Sequence, residues 1–319
     1  MTSTSSPPAT KTPIPADDPI PVLAYYYIWF DTQSWDRAKM DYPLLGRYSS
    51  DDADVMRQHI QWAKEAGIDG FIVSWKDTDK LNRRLAQLVK IAEQEDFKLA
   101  INYESLDFER IPLPVDQVDA DLSYFMDQYA DHQVFDIFEK PMVIWSGTSE
   151  FSVEEVQNVV QDKRERILVL ASEKNVKGYQ RLAKLIDGNA YYWSSVNPDT
   201  HSGYPEKLMA MGQAVHQNGG LWVAPAAPGY DSRLLGRPLS STGKMVKPCA
   251  WKLRRPSGLH PRRLGSSAGM NSARIHTSSP AKIMASSILH CWLRHASYPL
   301  SELVSSTPRQ AEKVMTYGS

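Results

Sequence analysis

The sequence "DGFIVSWK", residues 69–76, is the clearest indication of the fold of this protein. Between its charged ends lies a short, almost continuous run of aliphatic, β-branched and aromatic side chains. A run of this length and composition predicts a strand that is buried on both faces. Strands of that kind belong to parallel sheets covered by helices, so this segment indicates an α/β protein.

Six further runs of the same character extend this prediction along the chain. They are "PVLAYYYIWF" (21–30), "KLAINYE" (98–104), "PMVIWSG" (141–147), "ILVLASE" (167–173), "NAYYWSSV" (189–196) and "GLWVAPAAPGYD" (220–231). Amphipathic helical stretches lie between them, with stripes such as Leu81, Leu85, Leu88 and Ala92, or Leu208, Met211 and Val215. Seven such units predict a (β/α)8 TIM barrel that lacks one unit. A doubly wound open sheet is the alternative, which the absence of a Gly-rich phosphate fingerprint after the first run disfavours.

Charge divides the 319-residue chain into unequal parts. Residues 1–236 carry 23 basic and 35 acidic side chains, whereas residues 237–319 carry 13 and 2. We therefore expect a disordered Ser/Thr/Pro-rich leader over 1–20, without the apolar core of a signal peptide, a barrel over 21–236 and an irregular basic tail over 237–319. No apolar stretch reaches the ~18–20 residues of a membrane span. No cofactor or metal site is expected, and the sequence does not fix the localisation.

The ends of the predicted strands are rich in polar and aromatic residues. The active site of a barrel forms at the carboxyl ends of its strands. We expect substrate-binding roles there for Tyr26, Tyr27, Trp29, Trp75, Glu104, Tyr192, Trp193, Tyr230, Asp231 and Arg233. Rings stack on the C–H faces of sugars while hydroxyl, carboxylate and guanidinium groups bind their hydroxyls, so the set indicates a carbohydrate cleft in which Trp75, Glu104 and Tyr230 line one pocket. Core or rim packing is the alternative for any single ring, and helix capping or ion pairing for Glu104.

Several motifs resemble glycoside hydrolase family 99, the endo-α-1,2-mannosidase and endo-mannanase family. They are "YYYIWF" (25–30), "YPLLGRYSSDDADVMRQHIQWAKEAGIDGFIVSW" (42–75), "INYE" (101–104) and "APGYDSR" (227–233). The resemblance covers about residues 20–236. It implies a (β/α)8 barrel, retaining cleavage within α-mannose chains, and an α-mannose-containing oligosaccharide or polysaccharide as partner. It also implies that Glu104 contacts the 2-hydroxyl at the cleavage point and that Trp75 is a cleft tryptophan.

The family resemblance further implies a catalytic Glu pair on the eighth strand, in a motif like W-N-E-x-x-E followed by I-E-P. At that place this sequence has "AGMNSARIHTSSPAKIMA", residues 268–285. If the last base of each codon is read with the first two of the next, Met270–Asn271 can only give Glu, and the other junctions allow W-N-E-F-S-E-N-(S/T)-H-I-E-P. We interpret residues 237–319 as an out-of-frame tail after a slip near residues 236–244. No catalytic residue is then retained, because the Glu pair is lost at about 268–275.

Two other functional classes stay open. One is a non-catalytic sugar-binding remnant of the family. The other is a basic-tailed protein that binds a polyanion through Arg254, Arg255, Arg262 and Arg263. The tail lacks interleaved aromatic residues and any nucleic-acid-binding motif, so nucleic acid is not an expected partner.

Overall fold

The computed structural model describes residues 20–36, 43–191 and 203–225, together with the backbone of Tyr230–Asp231 and Ser240–Ser241. Residues 1–19 of the expected leader lie outside the described residues, as does the expected tail apart from Ser240–Ser241. Seven strands form one parallel sheet in the order β1 to β7. They are β1 (Leu23–Tyr27), β2 (Gly70–Trp75), β3 (Lys98–Glu104), β4 (Met142–Ser146), β5 (Leu168–Ala171), β6 (Gly188–Asn189) and β7 (Leu221–Trp222).

One α-helix lies between each pair of successive strands of this sheet. These helices are α1 (Ala53–Glu65), α2 (Asp79–Gln94), α3 (Val115–Tyr129), α4 (Val153–Val160), α5 (Val176–Leu182) and α6 (Tyr204–Gln217). Side chains cap several amino ends, as where Ser152 and Glu155 form a capping box at α4. The predicted apolar stripes of α2 and α6 are largely buried, and α6 ends before the sequence "NGG", in which Gly219 has a φ of 65°.

The order of the strands distinguishes the two predicted architectures. Each strand pairs in parallel with its neighbour in sequence, from β1–β2 through β6–β7. A doubly wound sheet would reverse its strand order at a switch point, and here the order never reverses. The sheet curls into an incomplete (β/α)8 barrel, as predicted. Among the described strands, β1 pairs only with β2 and β7 only with β6, which leaves a gap where an eighth strand would close the barrel.

Two apolar clusters lie on opposite faces of this sheet. The outer cluster packs alternate strand residues such as Phe71, Val73 and Ile101 against the helices. The inner cluster is smaller and contains Ile72 and Ala100. Because successive side chains of a strand point to opposite faces, neighbouring residues fall into different clusters. The inner face therefore leads, at the carboxyl ends of the strands, to the barrel mouth.

A second, two-stranded sheet is separate from the seven-stranded one. Its strands, β8 (Tyr230–Asp231) and β9 (Ser240–Ser241), pair antiparallel. The last predicted run therefore does not form one strand, because β7 stops at Trp222 and Tyr230–Asp231 belongs to the second sheet. Pro225 and Pro228 interrupt the run, and proline cannot donate a hydrogen bond to a strand ladder. No helix in the described ranges combines the length and the apolar character that crossing a bilayer requires.

Candidate functional site

Glu104 ends β3 on the inner face of the barrel. Its Oε1 accepts a hydrogen bond from Ser74 Oγ at 2.6 Å and another from Asn102 Nδ2 at 2.7 Å. Ser74 is fully buried and Asn102 is 8% exposed, so the two donors are themselves held in place. Both bonds reach the same carboxylate oxygen. They fix the orientation of the carboxylate while the other oxygen receives no hydrogen bond from the described residues.

The strand register explains why these groups meet. Tyr27 lies beside Ser74, Ser74 beside Asn102, and Glu104 beside Ser146. Because alternate residues of a strand face the same side, all five of these residues face the inside of the barrel, and the inner wall is polar near the mouth. The sequence analysis did not select Ser74 and Asn102. The sequence did contain a signal for both residues, because each is a polar residue within an otherwise apolar run. Asn102 also lies two residues before Glu104.

The structure corrects the expected place of Trp75. Its side chain is fully buried in the outer cluster, with its ring centroid 6.0 Å from that of Phe125. Its Nε1 donates to Asn82 Oδ1, on α2, at 2.9 Å. Because Ser74 faces inward, the next residue must face the helices. The prediction that Trp75 and Glu104 line one pocket is therefore wrong, and Trp75 is a core residue.

Tyr26 requires the same correction for the same reason. Its ring stacks on Phe71 with centroids 4.5 Å apart, and its Oη lies 3.0 Å from His59 Nδ1 on α1. Burial raises the pKa of Tyr26 well above its usual value and lowers the pKa of His59 to about 3. A neutral histidine and a neutral phenol thus share a hydrogen bond between the sheet and α1, away from the mouth.

Tyr27 and Trp29 form the aromatic part of the rim. Tyr27 follows Tyr26 and therefore faces inward, and its ring centroid lies 4.5 Å from that of Trp29. Trp29 is 44% exposed, so one part of its ring is open to solvent. Of the expected sugar-binding aromatics for which side chains are described, these two lie where a sugar could reach them.

A buried arginine anchors the segment that carries Trp29. Arg84, on α2, is fully buried and donates from Nη1 to the carbonyl oxygen of Ile28 at 3.0 Å. Its Nη2 donates to the carboxylates of Asp31 and Asp51. The hydrogen bond from Arg84 is the main reason why the pKa of Asp51 lies well below its usual range. Arg84 therefore fixes the backbone on both sides of Trp29.

The structure describes no side chain for the remaining predicted site residues. Tyr192, Trp193 and Arg233 lie outside the described residues, and Tyr230 and Asp231 are described only as backbone. The positions at about 268–275, where the family's Glu pair was expected, also lie outside. Within the described ranges, no group of three or more His, Cys, Asp or Glu side chains is arranged to hold a metal ion.

A parallel barrel with a positioned carboxylate and aromatic rings at its mouth is the arrangement expected of a carbohydrate-active enzyme. The family model of glycosyl hydrolase family 99 matches residues 21–234, and the chain belongs to this family. A comparison with curated proteins finds no match.

Solved structures give the same result at the level of the fold. Two structures of the family 99 endo-alpha-mannosidase from Bacteroides thetaiotaomicron, one with bis-tris-propane bound, are 21% and 20% identical to this chain. The alignments cover 68% and 66% of this chain and 72% of each structure, with TM-scores of 0.58 and 0.57. A glycoside hydrolase-like protein is 14% identical, with a TM-score of 0.50 over 71% of this chain and 77% of its own. At these identities the likeness concerns the fold alone.

Proposed function

We propose that this barrel is the substrate-binding part of a retaining, endo-acting α-mannosidase whose catalytic strand is encoded out of frame. The observation that carries the proposal is Glu104, with Oε1 held by Ser74 and Asn102 at the carboxyl end of β3. Its other oxygen is available to accept a hydrogen bond from a sugar hydroxyl. The family membership supports α-linked mannose as the sugar.

Cleavage of a glycosidic bond needs two groups that Glu104 does not replace. One carboxylate takes the proton of the sugar's 2-hydroxyl, which then attacks C1 to give a 1,2-anhydro sugar. A second carboxylic acid protonates the leaving oxygen. Glu104, by the family resemblance, binds the 2-hydroxyl and orients it for this attack. General acid–base groups commonly contribute about 10²–10⁴-fold each, so the chain as written should bind its substrate without useful turnover.

The shifted reading frame can supply what is missing. The codons of residues 268–285, read one base out of register, allow W-N-E-x-x-E and I-E-P, with two glutamates three residues apart. The gap between β7 and β1 is the place where an eighth strand would bring them to the mouth. Under this proposal the uncorrected chain is a non-catalytic remnant that binds sugar.

Binding is tested on the 319-residue chain. Titration with α-1,2-mannobiose should give measurable binding, and Glu104→Gln should weaken it about ten- to a hundredfold, since hydrogen bonds to charged groups contribute ~1.5–3 kcal/mol. Glu65→Gln, an exposed substitution at the last residue of α1, is the matched control and should bind like the wild type. If Glu104→Gln and the wild type bound mannobiose with equal affinity, Glu104 would not contact the sugar.

Catalysis is tested with a version of the gene that carries one restored base near codon 237. The restored protein should hydrolyse an α-1,2-linked mannose oligosaccharide, and NMR of the first product should show a retained anomeric configuration. The uncorrected chain should show no turnover. Turnover by the uncorrected chain that Glu104→Gln abolishes would show that the lost strand is not needed.

A further inference from the structure

The loop that follows Glu104 is a tightly built hairpin, here called the β3–α3 loop, residues 105–113. Asp107 N donates to the carbonyl oxygen of Ile111 at 2.9 Å, and Ile111 N donates to Asp107 Oδ1 at 2.8 Å. At the base, Leu113 N donates to the carbonyl oxygen of Ser105 at 2.8 Å. Such a ladder gives the loop one defined shape.

Neighbouring strand ends fasten the base of this loop. Lys76, which follows β2, donates from Nζ to the carbonyl oxygen of Leu106 at 2.8 Å. On the other side, the Leu106 side chain fills the space beside Gly147, after β4, where an added Cβ would lie 2.8 Å from Leu106 Cγ. The loop is therefore held from both sides at the barrel mouth.

The tip of the loop carries a positive charge that acts on the end of β6. The charge of Arg110 opposes the rise in the pKa of Tyr191 that burial causes. Tyr191 follows β6, which is three strands away from β3 in the sheet.

The tip also combines strain with exposed apolar surface. Arg110 has a φ of 68°, a left-handed conformation that costs backbone energy for a residue other than glycine. Phe108 is fully exposed, with a relative accessibility of 103%, and Ile111 is 58% exposed. A single exposed apolar residue is ordinary. Here the exposed phenyl ring lies in a strained, well-ordered loop that directly follows Glu104, and strained loops of this kind are often part of binding surfaces.

We propose that the β3–α3 loop is a second glycan-binding element, in which Phe108 stacks on a sugar ring outside the pocket marked by Glu104. The ligand is a longer α-linked mannose chain, whose inner residue binds at Glu104 while a more distant residue lies on Phe108. This inference rests on the proposed function and adds a preference for chain length. A phenyl ring suits the C–H face of a pyranose, and the Arg110 guanidinium can donate to its hydroxyls.

The experiment compares a short and a long ligand on the 319-residue chain by titration calorimetry. α-1,2-Mannobiose reaches only the Glu104 pocket, whereas an α-linked mannotetraose reaches Phe108 as well. Phe108→Ala should weaken mannotetraose binding about five- to tenfold, the value of one aromatic contact, and leave mannobiose binding within about twofold. Phe108→Trp should restore the loss. Ile20→Ala removes an exposed apolar side chain that precedes β1 at the opposite end of the barrel, and should change neither affinity.

The other outcomes separate this inference from the proposed function. If the wild type binds both saccharides equally and Glu104→Gln weakens both, the pocket stands and the second element is overturned. An equal loss for both saccharides in Phe108→Ala would also overturn it, since the loop would then only shape the pocket. If neither saccharide binds, both proposals fail. A dimer in sedimentation that Phe108→Ala abolishes would assign the surface to a second copy of the chain instead.

Discussion

Ser74 and Trp75 are neighbours in β2, yet they belong to different regions of the molecule. Ser74 faces the inside of the barrel and donates to Glu104 Oε1. Trp75 faces the helices, is fully buried and packs on aromatic rings of α3. The outer face therefore supplies stability, whereas the inner face near the mouth carries the polar groups that we propose bind a ligand. Substitutions on the two faces should therefore change different measurements.

The largest effect is expected on the outer face. Trp75→Ala removes a fully buried side chain and should lower the free energy of unfolding by about 3–5 kcal/mol, because such a substitution leaves a cavity. Trp29→Ala, at the exposed rim, should change it by no more than about 0.5 kcal/mol. Urea denaturation of the full chain measures both. If Trp75→Ala kept full stability but lost mannobiose binding, Trp75 would face the cleft and the comparison would be reversed.

A pH effect of nearly the same size should come from His59. Its folded pKa of about 3 lies below the ordinary value of about 6.5, so folding favours the neutral imidazole. That stabilisation is complete above pH 6.5 and is lost as the pH falls toward 3, on the order of 3 kcal/mol between pH 7 and pH 4. Denaturation at several pH values measures it. His59→Gln should flatten this part of the profile, and an unchanged slope would mean that His59 is not held neutral in the fold.

Substitutions on the inner face should affect stability less and binding more. Ser74→Ala removes one neutral donor to a carboxylate and should cost about 1 kcal/mol of stability. Glu104 Oε1 then accepts a hydrogen bond from Asn102 alone, so the carboxylate is held less firmly and the affinity for mannobiose should fall. Calorimetry and urea denaturation of the same sample separate the two effects. Ser123→Ala, which removes a hydroxyl on α3 bonded to a backbone carbonyl, is the control and should leave affinity unchanged.

The smallest effect is expected at the exposed rim pair. Lys80 Nζ lies 2.8 Å from Asp31 Oδ2, with side chains 51% and 34% exposed. Lys80→Ala should change stability by about 0.5 kcal/mol or less, and less still at high salt, because exposed ion pairs are screened. Lys90→Ala makes the same charge change on the same helix and serves as control. A loss of several kcal/mol in Lys80→Ala alone would show that the segment carrying Trp29 depends on Lys80 as well as on Arg84.

The sequence predicted the strands better than their faces. Six of the seven parallel strands start within the predicted runs, and β6 starts one residue before its run, because buried parallel strands are apolar throughout. That same property hides which residues face inward, and Trp75 and Tyr26 were therefore misplaced. Ser74, Asn102 and Glu104 carried the missing information, since polar residues in such strands lie where the inner face becomes the mouth. The position of Arg84 could not be predicted, because its partners Asp31 and Asp51 are distant along the chain.

The nucleotide sequence of the gene is the sharpest test of the proposal that the catalytic strand is encoded one base out of register. If W-N-E-x-x-E lies in the neighbouring frame, the genetic code requires GCT for Ala268, GGA for Gly269, GCG for Ala273, and AGA or AGG for Arg274. Sequencing the gene across these codons should find all four. Any other codon at one of these positions would break the motif and contradict the claim.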